Sequence, residues 1–296
     1  MVEKAIGVDL GGTKVCAGVF VLGAPQPLSV EVQPTEADRP EDEIVGRIVE
    51  AIAVVVERAG VEDIGGIGMG VPTRLDREGR LIPGPNLPTG GRLDLSPLLQ
   101  EHFQWPVRVA NDAVCFTLAE YGHGAGRGSS VCCGITLGTG IGMGIVVEGK
   151  PMLGYAGLAG EIWCAPLGEA MLEDVVSGRG VMRLYEERAG ERIRPEEIAR
   201  RARDGDWDAQ EAWNAFGDAL GIGLSYVIGA LDPEVIVIGG SIGQAFDRFE
   251  TPMMDRLRRH TMEGASLCVK PGVLGPEAGA LGAAHLVLSC KDVEEP

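Results

Sequence analysis

The chain opens with an apolar segment that runs directly into an acidic residue and two glycines, IGVDLGGTK at positions 6–14. A second apolar stretch, VCAGVF, follows at once. This pattern predicts two strands joined by a short glycine turn. Gly11 and Gly12 lack a Cβ, so their backbone N–H groups can approach phosphoryl oxygens closely, and both residues can adopt positive φ without a steric clash. Thr13 adds a hydroxyl donor. The segment therefore suits a nucleotide phosphate.

Two further residues bear on this interpretation. Asp9 ends the first strand and offers a carboxylate to the Mg²⁺ that accompanies phosphates, directly or through water. Lys14 closes the motif. An ordinary β-hairpin with a Gly-Gly turn fits the same residues, so the segment alone leaves phosphate binding and a plain hairpin both open.

The composition narrows the class of protein. The 296 residues carry 43 acidic and 26 basic side chains, for a formal net charge of −17. This charge argues against nucleic acid or an anionic membrane as a main partner, because both require clustered Lys and Arg. With 45% hydrophobic residues, the chain is expected to fold into about two globular domains.

The cysteines and the apolar runs predict a location in the cell. Seven cysteines include no C-x-x-C pair, so they are interpreted as small buried hydrophobes in a reducing compartment. No secretory signal and no apolar run of transmembrane length is recognised. We expect a cytoplasmic protein.

The same order of patterns occurs twice along the chain. The first half shows strands at 4–9, 15–22 and 27–33 and a helix at 41–59, followed by strands near 64–71 and 107–110. Residues 131–149 repeat the opening arrangement of strand, small-residue turn and strand, and a helical stretch at 172–231, a strand at 235–238 and a helix at 277–289 follow. This weak repeat predicts two α/β domains that close on a cleft.

Three glycine turns need one explanation: the turn at 9–14, LGTGIG at 137–142 and IGGSI at 238–242. None fits the P-loop pattern, and none fits the dinucleotide fingerprint. Two facing hairpin turns would hold the β- and γ-phosphates, and the third turn would flank the adenosine. The candidate residues in the second and third turns are Gly138, Thr139, Gly140, Gly239, Gly240 and Ser241.

These motifs resemble those of the ROK family of the actin-like ATPase superfamily, and the resemblance spans nearly the whole chain. The two phosphate motifs stand as VDLGGTK and LGTGIGMG, and the adenosine motif as LDPEVIVIGGSI. The family's sugar motifs correspond to VANDA at 109–113, GVPT at 70–73, PNL at 85–87, AGEI at 159–162 and MLEDVVSG at 171–178.

The resemblance implies a two-domain actin-like (ribonuclease H-like) α/β fold with a central cleft. It further implies ATP- and Mg²⁺-dependent phosphorylation of a hexose hydroxyl. The domains are expected at 1–113 plus 276–296 and at 114–275. Glucose is the first substrate candidate, with fructose, mannose or an N-acylated amino sugar as alternatives. A homodimer is left open.

Asp112 is the candidate catalytic base, because it stands in the first turn of a predicted helix and can accept a proton from a substrate hydroxyl. Its place at a helix N-terminus is expected to favour the ionised form and make it a weak base. Phosphoryl transfer tolerates a weak base, since positioning and charge neutralisation do most of the work. Helix capping is the plainer interpretation of Asn111-Asp112.

Amides and carboxylates match the paired hydroxyls of a sugar. The candidate sugar ligands are Thr73, Asn86, Asn111, Asp112, Glu161 and Glu173. For Glu173 the residues alone are equally consistent with a surface carboxylate and with a sugar ligand, and only the family resemblance favours the sugar ligand.

Two departures from the family stand close together. The family's G-E-I-G-H is replaced by GEIWC at 160–164, and its zinc-binding cysteine run is missing. A lone Cys164 cannot supply the three or four ligands of a structural zinc site, so no zinc is expected. Trp163 and Pro166 are expected to supply the missing packing. Without the His, the identity of the sugar is in doubt.

Three other classes of protein fit the sequence less well. A sugar-responsive repressor of the same family is disfavoured because Asp9 lies only nine residues into the sequence, which leaves no room for a preceding DNA-binding domain. A non-catalytic sugar-binding protein is disfavoured because Asp9, Asp112 and the glycine turns are intact. An acetate or polyol kinase is disfavoured by the PNL, ND and GEI segments.

Overall fold

The computed structural model describes residues 3–83 and 93–288. Within these residues the strands are β1 (Lys4–Leu10), β2 (Lys14–Val21), β3 (Ser29–Pro34), β4 (Ile67–Val71), β5 (Val107–Asn111), β6 (Val131–Leu137), β7 (Ile141–Val147), β8 (Lys150–Pro151), β9 (Pro166–Leu167), β10 (Ala170–Met171), β11 (Val235–Gly239) and β12 (Val269–Pro271). The helices are α1 (Glu41–Ala59), α2 (Leu95–Phe103), α3 (Asp112–His123), α4 (Leu172–Val175), α5 (Gly178–Ala189), α6 (Pro195–Arg203), α7 (Trp207–Leu231), α8 (Gly240–Gly243), α9 (Phe246–His260) and α10 (Ala278–Leu288), with a 3₁₀ turn at Ile162–Cys164.

Helix boundaries follow local sequence signals where these are strong. Helix α1 begins with three acidic residues and ends at Gly60, which adopts the left-handed conformation (φ 61°) and returns its N–H to the last turn. The prediction of a helix over 41–59 is confirmed. Helix α2 begins after Asp94, whose carboxylate accepts from the Ser96 N–H. The predicted helical stretch 172–231 is broken into four helices by caps such as Ser177 and Asp206.

The first sheet has the strand order β3-β2-β1-β4-β5. Strands β1, β4 and β5 run parallel, while β2 and β3 pair antiparallel. Apolar residues pack on both faces, against α1 and α2 on one side and against α3 and α10 on the other. Alternation along β1 divides the strand accordingly, with Ile6 and Val8 facing α1 and Ala5 facing α10.

The second sheet has the order β12-β11-β6-β7-β8. Its strands β8, β7, β6, β11 and β12 occupy the same positions as β3, β2, β1, β4 and β5 in the first sheet. Its β6, β11 and β12 run parallel, as β1, β4 and β5 do. The predicted repeat of strand, turn and strand is therefore confirmed by topology, although β6–β8 share little sequence with β1–β3.

Helices α5, α6 and α9 pack around α7, and an aromatic cluster of Trp213, Phe216 and Phe249 fills the contact between α7 and α9. Among the described residues, helix α7 is the one helix long and apolar enough to cross a membrane by length and composition alone. Half of the residues in its apolar window are buried, which is also the character of a core helix in a globular protein.

The chain divides into two compact units, counted over their described residues. One comprises Met1–Gly128, Gly144–Ala159 and Val273–Pro296, and the other comprises Ser129–Met143 and Gly160–Gly272. We refer to these as the first and second unit. The domain boundaries expected from the sequence stay a prediction.

Candidate active site

In the first unit the candidate residues follow the carboxyl ends of neighbouring parallel strands. Asp9 lies opposite Gly70 in the β1–β4 pairing, and Val71 lies opposite Asn111 in the β4–β5 pairing. Asp112 then begins α3. Because parallel strands bring their carboxyl ends to one edge, residues about a hundred positions apart reach the same region.

The first glycine turn is closed by backbone and side-chain hydrogen bonds. The Gly11 N–H donates to the Lys14 carbonyl at 2.8 Å, and the Thr35 hydroxyl donates to the Gly11 carbonyl at 2.6 Å. Thr35 is fully buried, and the sequence analysis missed it. The side chains of Thr13 and Lys14 are exposed beside this turn, where a ligand can reach them.

The first glycine turn does not use the positive φ that its glycines permit. Gly11 and Gly12 are not among the glycines in the left-handed region. Leu10 and Val15 are opposite each other in the β1–β2 register, and the four residues between them form the connection without positive φ at either glycine. These glycines offer close approach rather than unusual backbone conformation.

The carboxylate of Asp112 is electrostatically unfavourable. Burial and, second, the nearby charge of Asp9 raise its pKa to about 7, although the Ala113 N–H, which donates to it at 2.8 Å, favours the ionised form. Burial also raises the pKa of Asp9, while Lys14 opposes this rise. The expectation that the helix N-terminus keeps Asp112 a weak base is therefore wrong, because burial and the Asp9 charge outweigh the helix.

Asn111 and Thr73 hold this region together. The Asn111 Oδ1 accepts from the Ala113 N–H at 3.0 Å and so caps α3, while its Nδ2 donates to the Thr73 carbonyl at 3.3 Å. The Thr73 hydroxyl donates to the Ile82 carbonyl. Capping, the plainer interpretation of Asn111, is present in the structure. Asn86 lies outside the described residues.

In the second unit two glycine turns meet at the carboxyl edge of parallel strands. Gly239, at the end of β11, pairs with Thr136 of β6. Gly240 has φ 81°, and a Cβ there would overlap the Leu137 carbonyl, so only glycine fits. The Ser241 side chain is exposed, and its Oγ lies 3.9 Å from where a Cβ on Gly138 would stand. The structure therefore brings the turns at 137–142 and 238–242 together.

Glu173 contacts the turn at 137–142. Its Oε2 accepts from the Ile141 N–H at 3.1 Å, and its Oε1 accepts from the Arg179 guanidinium at 3.2 Å. Arg179 is the second residue of α5, and Ser177 caps that helix. No local pattern predicts this ion pair, because the two residues are six positions apart and lie on separate helices, α4 and α5.

Glu161 lies at the start of the 3₁₀ turn Ile162–Cys164, which packs against α4. The Trp163 indole N–H donates to the Glu161 Oε2. Helix α4 carries Glu173, so the two glutamates stand on adjacent elements. Pro166 is exposed, and the expectation that it packs in place of zinc is wrong.

A small hairpin, β9–β10, connects the 3₁₀ turn to α4. Gly168 is its first turn residue and has φ 66°, as a two-residue type II′ turn requires. The Leu172 N–H also donates to the Ala165 carbonyl at 2.8 Å. In this chain, backbone pairing closes the segment in which the family's zinc-binding run is missing, and the expectation that zinc is absent stays a prediction.

The chain is similar in sequence and in structure to known proteins. A sequence model of the ROK family matches residues 5–290. The N-acetyl-D-glucosamine kinase of Escherichia fergusonii is 29% identical over 306 residues, covering 96% of this chain and 99% of the relative. The crystal structure of a ROK hexokinase from Thermus thermophilus is similar with a TM-score of 0.85 and 32% identity, covering 96% of this chain and 97% of that one.

A ROK family glucokinase from Streptomyces griseus, solved in complex with glucose and AMPPNP, is similar with a TM-score of 0.81 and 27% identity over 97% of this chain and 100% of that one. These similarities confirm the predicted fold class, an actin-like α/β architecture.

Proposed function

Because this chain belongs to the ROK family, we propose that it is a sugar kinase that transfers the γ-phosphoryl group of ATP to a hexose hydroxyl, with glucose as the first candidate. The observation that carries the proposal is Asp112. Asp112 is the first residue of α3, which begins at the edge of the first sheet. The pKa of its carboxyl group, about 7, suits a base that works at neutral pH.

In the proposed reaction the sugar hydroxyl oxygen attacks the γ-phosphorus while the bond from that phosphorus to the β,γ-bridging oxygen breaks. ADP leaves with the bridging oxygen, and the hydroxyl proton passes to the Asp112 carboxylate. The loose transition state needs little push from the base. Asp112 therefore contributes mainly by orienting the hydroxyl and holding its proton.

The proposed nucleotide contacts are the residues of the three glycine turns. Thr13 and Lys14 are exposed beside the first turn, and Ser241 is exposed beside the third. Asp9 fits a cation, because partial burial disfavours its ionised carboxylate and its charge raises the pKa of Asp112, so a divalent ion would offset both effects. When bound, Mg²⁺ would neutralise charge on the phosphates. The use of ATP is supported by the AMPPNP complex of the Streptomyces griseus glucokinase.

The proposed sugar site uses Asn86, Glu161 and Glu173 as hydroxyl partners, with Thr73 and Asn111 holding the wall beside Asp112. A second candidate substrate is N-acetylglucosamine, favoured by the name of the Escherichia fergusonii relative. The two sugars share every hydroxyl except the one on carbon 2, which glucose carries and N-acetylglucosamine replaces with an acetamido group. Small-molecule partners, rather than nucleic acid, are supported by the net charge of −17, and a cytoplasmic location and a zinc-free fold belong to the same proposal.

A panel experiment tests the proposal. The purified protein is incubated with ATP, Mg²⁺ and one sugar at a time: glucose, fructose, mannose, N-acetylglucosamine and N-acetylmannosamine. ADP release is followed by a coupled assay, and the phosphorylated product by mass spectrometry. We expect the highest kcat/KM with glucose. ADP release that no sugar stimulates would contradict the assignment as a sugar kinase, and a preference for N-acetylglucosamine would replace glucose. Elemental analysis of the same sample checks for zinc.

A further inference from the structure

Glu161 is held in a defined backbone conformation. Its φ of −73° and ψ of 57° are those of the central residue of an inverse γ-turn, and the Ile162 N–H closes the turn on the Gly160 carbonyl at 2.7 Å. Gly160 has φ 90°, and a Cβ there would stand 2.5 Å from the Met143 carbonyl. The turn is therefore seated against β7, and its direction is fixed.

The two residues at which this chain departs from the family pattern both hydrogen-bond to Glu161. The Trp163 indole N–H donates to the Glu161 Oε2, and the Cys164 thiol donates to the Glu161 carbonyl at 3.3 Å. Within the part of the chain that the structure describes, the Glu161 Oε1 has no hydrogen-bond partner. One carboxylate oxygen is thus held and the other is left for a ligand.

We propose that Trp163 is a positioning residue, assisted by Cys164, that fixes the Glu161 carboxylate so that its Oε1 accepts from a sugar hydroxyl. This inference rests on the proposed function, because it takes Glu161 as a sugar ligand. An indole N–H only donates and does not titrate. It therefore holds a carboxylate acceptor without competing for the substrate proton, and its hold does not change between pH 6 and pH 8.

The first arm of the test is equilibrium binding, which needs no turnover. Calorimetry measures the affinity of the preferred sugar for wild type, Trp163→Phe, Trp163→His and Trp207→Phe. Trp207 begins α7 and is 71% exposed, so it is the matched control. Trp163→Phe keeps an aromatic ring but loses the donor, and we expect sugar binding about 10-fold weaker, since a hydrogen bond to a charged group is worth about that much.

Trp163→His restores a ring N–H, so it should recover part of the affinity, and it should make sugar binding depend on pH near the imidazole pKa of about 6.5. Nucleotide affinity should stay within about 2-fold in every variant, and Trp207→Phe should bind sugar as wild type does. Equal losses for sugar and nucleotide would instead indicate general loosening of the fold and would overturn the proposal.

The second arm tests coupling to Glu161. In a Glu161→Ala background, Trp163→Phe should cause no further loss of sugar affinity, because the group that it positions is gone. Additive losses would overturn the proposal, as would unchanged sugar affinity in Trp163→Phe.

The two proposals fail in different ways. If the protein binds sugars and loses affinity in Trp163→Phe but transfers no phosphoryl group, the proposed function fails and the positioning role stands. If it phosphorylates sugar equally well with and without the indole, the function stands and the positioning role fails. If no sugar binds, both fail.

Discussion

The candidate site carboxylates of the two units differ in their electrostatic surroundings. In the first unit Asp9 and Asp112 are both partly buried, and burial together with the charge of Asp9 raises the pKa of Asp112 to about 7. In the second unit Glu161 and Glu173 each accept from donors that the protein supplies: the Trp163 indole, the Ile141 N–H and the Arg179 guanidinium.

This difference suits the carboxylates of the two units to different functions. A carboxylate held at unfavourable energy gains when it takes up a proton or a cation, and this is the property that a base or a metal ligand needs. A carboxylate already fixed by donors loses little freedom when it accepts from a neutral hydroxyl, and this is the property of a recognition residue. The comparison therefore predicts chemistry in the first unit and sugar recognition in the second.

The largest expected effect is on turnover. Asp112→Asn keeps the shape of the side chain but cannot accept the hydroxyl proton, and we expect kcat to fall by about 10²–10⁴, with sugar and nucleotide binding largely retained. Steady-state kinetics with calorimetry for each ligand measures this. The matched control is Asp94→Asn, which keeps a capping side chain on α2 in the same unit. A near-normal kcat in Asp112→Asn would remove Asp112 from the chemistry.

The next effect is the pH dependence of the rate. The free enzyme is active with Asp112 ionised, so kcat/KM should fall about tenfold per pH unit below about pH 7, where the carboxylate becomes protonated. With saturating nucleotide and Mg²⁺ the acidic limb of kcat should move to lower pH, because the cation offsets the Asp9 charge that helps to raise the Asp112 pKa. A kcat/KM that stays flat down to pH 5 would contradict this electrostatic picture.

A third prediction compares two carboxylates within the first unit. Glu120 is completely buried, but its oxygens accept from the Ala125 N–H at 2.7 Å and from the Val273 and Leu274 N–H groups at 3.0 Å each. Glu120→Gln turns one acceptor into a donor and leaves a buried N–H unsatisfied. We expect the free energy of unfolding to fall by about 2 kcal/mol.

Asp112→Asn should raise the free energy of unfolding, whereas Glu120→Gln lowers it, and the increase should depend on pH. The folded pKa of about 7 lies above the unfolded value of 3.8, so the native state binds more protons, and wild-type stability should fall as pH rises from about 4 to 7. The amide removes this cost. We expect no stabilisation near pH 4 and a gain on the order of 1–3 kcal/mol at pH 8, measured by urea unfolding. Stabilisation that does not change with pH would indicate a cause other than the buried charge.

The sequence predicted what local signals determine. The strand and glycine turn at 6–14, the helix at 41–59 and the Asn111 cap each depend on neighbouring residues, and each is present. The strand order of the first sheet was not predicted, because parallel pairing of β1, β4 and β5 joins segments that are distant in the chain.

The energetics of the site could not be predicted in this way. The pKa of Asp112 depends on how deeply α3 is buried and on Asp9, which lies 103 residues earlier. Thr35 gives no sequence signal for its bond to Gly11, since a lone threonine after a strand has many roles. Trp163 stood out only as a departure from the family, and the direction of its N–H depends on the 3₁₀ turn.

The smallest expected effect concerns the donor set of Glu173. Arg179 is 66% exposed at its side chain, and an exposed ion pair is worth about 0–1 kcal/mol. The buried side of the carboxylate is held instead by the Ile141 N–H, which no side-chain substitution removes. Arg179→Gln should therefore raise the sugar KM only about 2-fold at low salt, and the difference from wild type should disappear near 1 M salt as the charges are screened. Arg183→Gln, one turn further along α5 and bonded to the Asp174 carbonyl, is the matched control and should leave the sugar KM unchanged. A loss of tenfold or more that persists at high salt would mean that Arg179 itself binds the substrate, and the donors of the second unit would then do more than hold its carboxylates in place.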